Sequence, residues 1–490
     1  MTHRGRVRAA LFCSALALAA HGPMARADTL REALAAAYTT NPTIAGARAQ
    51  QRATDEEVPI QRAPGLPSAN VTATHIEFLQ QSANAFTAPE RNLGVNAQLQ
   101  VPIYSGGAVR NGINAAQERV AAGRADLRAT ESAVFSRAVA AYMDVLRFQA
   151  LAQLAENQVE VLRVTFESSS DRFEIGDLTI TDVAQSRSRL ALAEGDLRTA
   201  LSNLVNARET YIAVIGLAPD ALQPPPPLPN LPDTVGMAVV VALENNPDII
   251  AAKERADAAG FDYEVAGSGR LPTLGAFANY DYSNFFDTLG GPVSSNFVQE
   301  ETTANVGLRL TIPLFQGGLP AARQRQAGAR ETAALEQVIA TERDVISQTR
   351  SAYASWQASL AVIDSSLAAV EAAELSLEGV RAENSIGNRT VLDVLNAEQE
   401  LLSARAQLVT ARRNAYVAGF TLLAAMGRAE ARDLNIDTGG PLYDPMVNYE
   451  RVSGRVWDWD RDPAPTPQST RTVDIPPADA KIGPTLDPEL

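Results

Sequence analysis

The sequence predicts a mainly α-helical protein with paired β-strands, built as a tandem repeat of helix, strand, strand, long helix and return helix. Motifs recur in both halves, at 101–107 and 312–318, at 175–183 and 386–394, and at 66–67 and 271–272. The first two pairs lie 211 positions apart and the third 205, so the second copy has gained six residues before position 312. A unit of roughly two hundred residues is a duplicated subdomain and not a solenoid repeat.

Residues 1–27 read as a secretory signal peptide. Three arginines at positions 4, 6 and 8 precede an apolar run at 9–20, and Ala25-Arg26-Ala27 fits a cleavage site. The apolar run is too short to cross a bilayer as a helix. We therefore expect the mature chain to begin at Asp28.

Composition argues against several classes of function. The only cysteine, Cys13, and two of the three histidines leave with the signal peptide, so the mature chain keeps His75 and has no thiol. A histidine-based triad or a multi-histidine metal site is disfavoured. The net charge of −15 becomes about −19 once four signal arginines are removed, which suits nucleic acid poorly. We expect no enzyme, no cofactor, no metal and no nucleic-acid partner.

Each copy opens with a helix, the first at 29–62, and continues with two strands. The strands are predicted at about 69–79 and 93–102, and at 273–285 and 303–313. In the second strand of each copy, apolar and small or polar residues alternate. One interpretation is an antiparallel sheet with one face on a core. The other is a pair of transmembrane hairpins with the apolar face toward lipid, which the lack of other sheet elements favours.

A very long helix follows each strand pair. No proline occurs between 107 and 173, and apolar residues lie seven apart at Ile113, Val120, Leu127, Val134, Ala141 and Phe148. The second copy has the same spacing at Ile339, Ile346, Tyr353, Leu360 and Leu367. This spacing predicts helices that wrap left-handed around neighbours, each a rod of about 100 Å.

Gly176 and Gly387 should end these rods, because glycine is the usual left-handed cap. Return helices are predicted at 179–215 and 390–426, and each begins with Thr-x-x-Asp, a capping-box pattern. Helix capping and a functional role are equally good interpretations of both aspartates. The domains are a first repeat at 28–218, a proline-rich linker at 219–233, a second repeat at 234–437 and a mostly irregular or disordered tail at 438–490.

The chain supplies only four candidate membrane strands. Single-chain barrels begin at eight strands, and open sheet edges are not tolerated in lipid. If the strands cross a membrane, the protein must be an oligomer that shares one barrel, with eight strands from two copies or twelve from three.

The order of the motifs resembles that of the TolC family of outer-membrane export channels, over about residues 29–436. The resemblance rests on Asn-Pro after the first helix, Leu-Pro before the first strand, the turn at 385–395, and the strand-to-helix joints of Pro102, Gly106, Gly107, Pro313, Gly317 and Gly318. It implies a homotrimer in outer-membrane lipid, with a twelve-stranded β-barrel on a twelve-helix α-barrel that extends through the periplasm. The lack of a cysteine for lipid attachment is similar to the unlipidated branch.

The resemblance also implies a function and partners. The protein would be the passive outer-membrane channel of a tripartite efflux pump or type I secretion system. Its hairpin tips, at Gly176 and Gly387, would dock a periplasmic adaptor (membrane fusion) protein that connects to an inner-membrane transporter of RND or ABC type. The alternative is a periplasmic coiled-coil scaffold without a pore.

The family closes its tunnel at the tips with a polar network and a ring of aspartates. By position, the resemblance implies a gate of Thr181 and Asp182 on the first hairpin, and Arg389 and Asp393 on the second. Asn396 stands where the family's namesake has a second aspartate, and Asn384 where it has a tyrosine. We therefore expect Arg389 with Asp182 to hold the gate.

Overall fold

The computed structural model describes residues 29–81 and 88–483. The predicted signal peptide, with Cys13, lies outside the described residues. The first copy comprises α1 (Leu30–Thr40), α2 (Pro42–Asp55), α3 (Glu57–Arg62), β1 (Ser68–Glu77), β2 (Arg91–Tyr104), α4 (Ala108–Glu174) and α5 (Ile180–Ile215). The second comprises α6 (Val235–Asn245), α7 (Pro247–Ser268), β3 (Thr273–Asn284), β4 (Glu300–Thr311), α8 (Leu319–Ser385) and α9 (Val391–Ala425), and α10 (Pro445–Ser453) follows.

The single helix predicted at 29–62 is wrong, because the chain forms three helices there. Pro42 has no N–H to continue α1, and it begins α2 instead. The side chain of Asn41 caps the new helix by accepting from the amide of Thr43 at 2.8 Å. The second copy breaks in the same way at Asn246, between α6 and α7.

The four strands form one antiparallel sheet in the order β1-β2-β3-β4. The two hairpins have equivalent registers. In the first hairpin Ala69 pairs with Leu99. The equivalent residues of the second copy are Leu274, 205 positions after Ala69, and Leu310, 211 positions after Leu99, and these two residues also pair. The two copies join through β2 and β3, where Leu99 also pairs with Ala278. The sheet therefore contains one seam between repeats and leaves β1 and β4 as its edges.

The sheet covers no core. β1 is exposed along its whole length and β4 nearly so. On the apolar face, Val71 and Val306 expose 71% and 83% of their surface. On the polar face, Asn96 donates to the carboxylate of Asp281 at 2.6 Å. The interpretation of a sheet resting on a core is therefore wrong for this chain.

The main core lies where the short helices surround the long ones. Tyr142 and Phe135 of α4, Tyr211 of α5 and Phe420 of α9 are among its largest buried side chains. The hydroxyl of Tyr142 donates to the carbonyl of Gln223 at 2.6 Å, which fixes the proline-rich linker against the helices. The core thus holds both repeats and the linker together.

The heptad seams of the two long helices differ in burial. On α4, the four central seam positions from Val120 to Ala141 are buried, whereas on α8 Ile339, Leu360 and Leu367 stay exposed.

No single described helix is long and apolar enough to cross a membrane. The helices α6 and α7, bent by 40° relative to each other, reach the required length and apolar composition only as a pair.

The carboxyl-terminal tail contains a helix that the prediction of a mostly irregular segment missed. Asp444 caps α10 and Pro445 occupies its first turn, while Val452 is buried. The remainder to residue 483 has no helix or strand and runs along α5, where Arg208 pairs with Asp479 at 2.8 Å.

Candidate functional site: the hairpin tips

The α4–α5 and α8–α9 hairpins turn at the two glycines that the sequence singled out. Gly176 and Gly387 have φ of 84° and 81°, a left-handed conformation that other L-residues adopt at a cost. The next amide closes each turn, from Asp177 to the Arg172 carbonyl at 2.8 Å and from Asn388 to that of Glu383 at 2.9 Å. These bonds satisfy carbonyl groups at the helix ends.

Both predicted aspartates cap a return helix. The Asp182 carboxylate accepts from the amide and hydroxyl of Thr179 at 3.0 and 2.7 Å. The Asp393 carboxylate accepts from the same groups of Thr390 at 2.9 and 2.8 Å. Hydrogen bonds from the Thr179 hydroxyl and amide lower the pKa of Asp182, and those from the Thr390 amide and hydroxyl lower the pKa of Asp393. Both carboxylates are therefore ionised at neutral pH, and they add negative charge to the tips.

Arg389 binds a partner that the sequence analysis did not anticipate. Its Nε donates to Glu383 across the turn at 2.7 Å, and this bond raises the pKa of Arg389. Asn384 donates to the Arg389 carbonyl at 2.7 Å. Within one chain, the structure therefore pairs Arg389 with Glu383 rather than with Asp182. Thr181 lies exposed in the first turn of α5.

An apolar cluster joins the two hairpins near their tips. It packs Val391 and Leu395 of α9 against residues of the first hairpin, namely Val159, Leu162 and Ala193. Beside it, the guanidinium of Arg189 donates to Asn396 at 2.9 Å. Asn396, which stands in the position of a second aspartate, is therefore the acceptor of a hydrogen bond between hairpins. Arg189 was missed because nothing in its local sequence distinguishes it from other surface arginines.

The strand-to-helix joints lie at the opposite ends of the long helices. Gly106 and Gly107 have φ of 65° and 86°, and Gly317 and Gly318 have 61° and 81°. Pro102 still pairs with β3, but the register shifts immediately after it, whereas Pro313 lies beyond the end of β4. The glycines therefore turn the chain from the sheet into the helix through a left-handed conformation that other residues adopt at a cost.

The described residues contain no group of three or more histidine, cysteine, aspartate or glutamate side chains arranged to hold a metal ion.

The family described as outer membrane efflux protein matches residues 33–217 and 238–428. The chain belongs to this family. It is 31% identical to the outer membrane efflux protein BepC of Brucella suis, over 89% of this chain and 92% of that protein. It is 26% identical to Escherichia coli TolC, over 89% and 90%.

Solved structures share the fold. CusC superposes with a TM-score of 0.72 at 17% identity, covering 82% of this chain and 93% of that one. VceC of Vibrio cholerae gives 0.69 at 24% identity, covering 81% and 96%. The protein is an outer-membrane channel of the efflux and type I secretion class with a helical periplasmic extension, and it is not an enzyme. The periplasmic scaffold without a pore has no support.

Proposed function

We propose that three copies of this chain close one conduit through the outer membrane and the periplasm. Each copy contributes four strands to a twelve-stranded barrel and four helices to a twelve-helix tunnel. The observation that carries this proposal is the open sheet, because its edge strands β1 and β4 cannot remain unpaired in lipid. The exposed seam of α8 gives the helical part a matching unpaired face.

The pairing of β2 with β3 between the two repeats predicts how strands of neighbouring copies pair. Because the repeats are equivalent, β4 should meet β1 of the next copy as β2 meets β3. Leu99 pairs with Ala278 at the internal seam. Adding 211 to the first number and subtracting 205 from the second places Leu310 opposite Ala73 of the neighbouring copy.

Cysteine cross-linking tests this register, and the mature chain has no native thiol to interfere. Directly opposite residues in antiparallel strands have Cβ atoms about 5 Å apart, close to the range of a disulfide. We expect Leu310→Cys with Ala73→Cys to give covalent trimers in membranes. The matched control, Leu310→Cys with Thr72→Cys, places the second thiol on the opposite face. Equal cross-linking in both pairs, or none in the first, would contradict the proposed barrel.

The channel itself is passive in this proposal, and a transporter of RND or ABC type in the inner membrane supplies the energy through a periplasmic adaptor. The adaptor docks at the hairpin tips around Gly176 and Gly387. Two relatives are named for cobalt-zinc-cadmium resistance and for alkaline protease secretion. This breadth supports a channel whose cargo is selected by its inner-membrane partner.

The gate in this proposal is the set of tip residues Thr181, Asp182, Arg389 and Asp393. What supports it is the lowered pKa of both carboxylates, which keeps negative charge at the two hairpin tips. Planar-bilayer recordings with divalent cations test it. We expect small, cation-preferring conductance steps that divalent cations block from the tip side. Folded, oligomeric protein that never inserts would refute the membrane-spanning channel.

A further inference from the structure

The tail places two tryptophans on the surface directly after α10. Trp457 and Trp459 expose 72% and 74% of their surface, and Val456 beside them is also exposed. The third tryptophan, Trp356, packs edge-on against Tyr353 on α8. Two large exposed aromatic rings within three residues form an apolar surface, which indicates that this surface contacts another molecule.

The segment that carries the rings is held in a fixed shape. Asp462 accepts from Arg451 and from Arg455, each at 2.8 Å. Arg455 also binds Asp460 at 3.2 Å, and the Asp460 amide donates to the Trp457 carbonyl at 3.1 Å. These bonds close residues 455–462 into a loop, hereafter the tryptophan loop. The rings are therefore displayed on a braced loop and not on a free tail.

The contacts of α10 give the direction in which the loop points. Three hydrogen bonds follow in sequence order. The Tyr443 amide donates to the Tyr38 hydroxyl at 2.9 Å, and the Asn448 side chain donates to the Asp55 carboxylate at 2.7 Å. Arg62 donates to the Ser453 carbonyl at 3.3 Å. The helix therefore runs parallel to α2 and α3, toward the sheet. The tryptophan loop leaves its sheet-proximal end.

The end of α10 lies close to the start of the sheet. β1 begins six residues after Arg62, a stretch that spans at most about 20 Å of chain. The polar headgroup layer of a bilayer adds several Å on each side of a core about 30 Å thick. A loop that projects from the sheet-proximal end of α10 can therefore reach the headgroups of the leaflet nearest the helices.

We propose that the tryptophan loop is an interfacial anchor that inserts Trp457 and Trp459 into the periplasmic leaflet of the outer membrane. Tryptophan favours this layer because its ring is apolar and its N–H stays hydrated. The loop region also suits a zwitterionic lipid surface, since residues 451–462 hold three arginines and three aspartates. The inference rests on the proposed crossing of the membrane by the sheet.

Fluorescence quenching in nanodiscs made of phosphatidylcholine brominated on its acyl chains tests the anchor. Trp356→Phe leaves only the two loop tryptophans as reporters. Two further variants start from protein without tryptophan, made by replacing all three with phenylalanine. Val306→Trp then reports from the apolar face of the sheet, and Leu192→Trp reports from the exposed surface of α5.

We expect the loop tryptophans to lose much of their emission in brominated nanodiscs, Val306→Trp to lose most, and Leu192→Trp to lose none. Unquenched loop tryptophans beside a quenched Val306→Trp would overturn the anchor and leave the channel intact. A blue shift without quenching would assign the loop to a neighbouring copy, which also overturns the anchor. An unquenched Val306→Trp would refute the crossing of the sheet itself.

Discussion

Leu395→Ala should loosen the contact between the two hairpins while leaving the rest of the chain folded. Leu395 of α9 is 1% exposed and packs against α4 and α5 in the apolar cluster near the tips. Three buried carbons at about 0.8 kcal/mol each give about 2.4 kcal/mol. The cavity left behind brings the loss to about 3–4 kcal/mol.

A loss of that size increases the population of separated hairpins by about a hundredfold or more. Because the cluster is local to the tips, the loss should fall on hairpin docking and leave the main core around Tyr142 unaffected. We expect faster hydrogen exchange in α9 near residue 395 and a larger single-channel conductance, with little change in thermal unfolding of the whole protein.

Leu192→Ala is the matched control, since it removes the same atoms from an exposed position on α5. It should change neither exchange nor conductance. If Leu395→Ala behaved like Leu192→Ala in both assays, the apolar cluster would not be what holds the hairpins together, and the reasoning would fail.

Three further predictions concern the tips and the joints. Arg389→Ser should increase the single-channel conductance and sensitise cells to toxic compounds, because it removes the bond to the turn; an unchanged conductance would remove Arg389 from the gate. The pKa values of Asp182 and Asp393 are lowered in the folded chain, so their caps are fully formed above the ordinary aspartate pKa of about 3.9 and are lost as pH falls through the lower folded values; the amides of Thr179 and Thr390, which donate to these carboxylates, should lose their protection from hydrogen exchange, measured relative to an unstructured peptide, only in that acidic range, and a loss of protection already at pH 6 would contradict it. Gly106→Ala should destabilise the protein by at least about 1–2 kcal/mol, because its φ is positive and the new Cβ would lie 2.9 Å from a carbonyl oxygen; Gly318→Ala, with a positive φ but open space around it, should cost less in the same thermal unfolding assay, and equal losses would rule out the steric contribution.

Local patterns in the sequence predicted the long elements well. The first rod was expected over 107–173, and α4 spans Ala108–Glu174. The lack of proline lets the helix continue, and the glycine at its end allows a left-handed cap. Both effects depend only on the local backbone, so the sequence is sufficient to predict them. Of the two interpretations of Thr-x-x-Asp, helix capping is observed in both copies, because the capping box forms between side chains and amides only three residues apart.

Contacts between elements were not predictable in this way. The bond from Arg189 to Asn396 joins residues 207 positions apart, so its existence depends on how two hairpins pack. The partner of Arg389 was missed although it is only six residues away, because the turn geometry decides which carboxylate it reaches. In the tail, Asp444-Pro445 is a start signal for α10 that the surrounding irregular composition concealed.

The unbroken length of α4 and α8 has a mechanical consequence. Each helix of 67 residues is a stiff rod of about 100 Å whose middle is packed in the main core. A rotation of only about 5° about that packed middle moves each end by about 4 Å. In the proposed channel, a small tilt of the rods at the sheet would therefore become a displacement of the hairpin tips. The stiffness of the rods, rather than the strength of any one bond, would set how faithfully that displacement is transmitted.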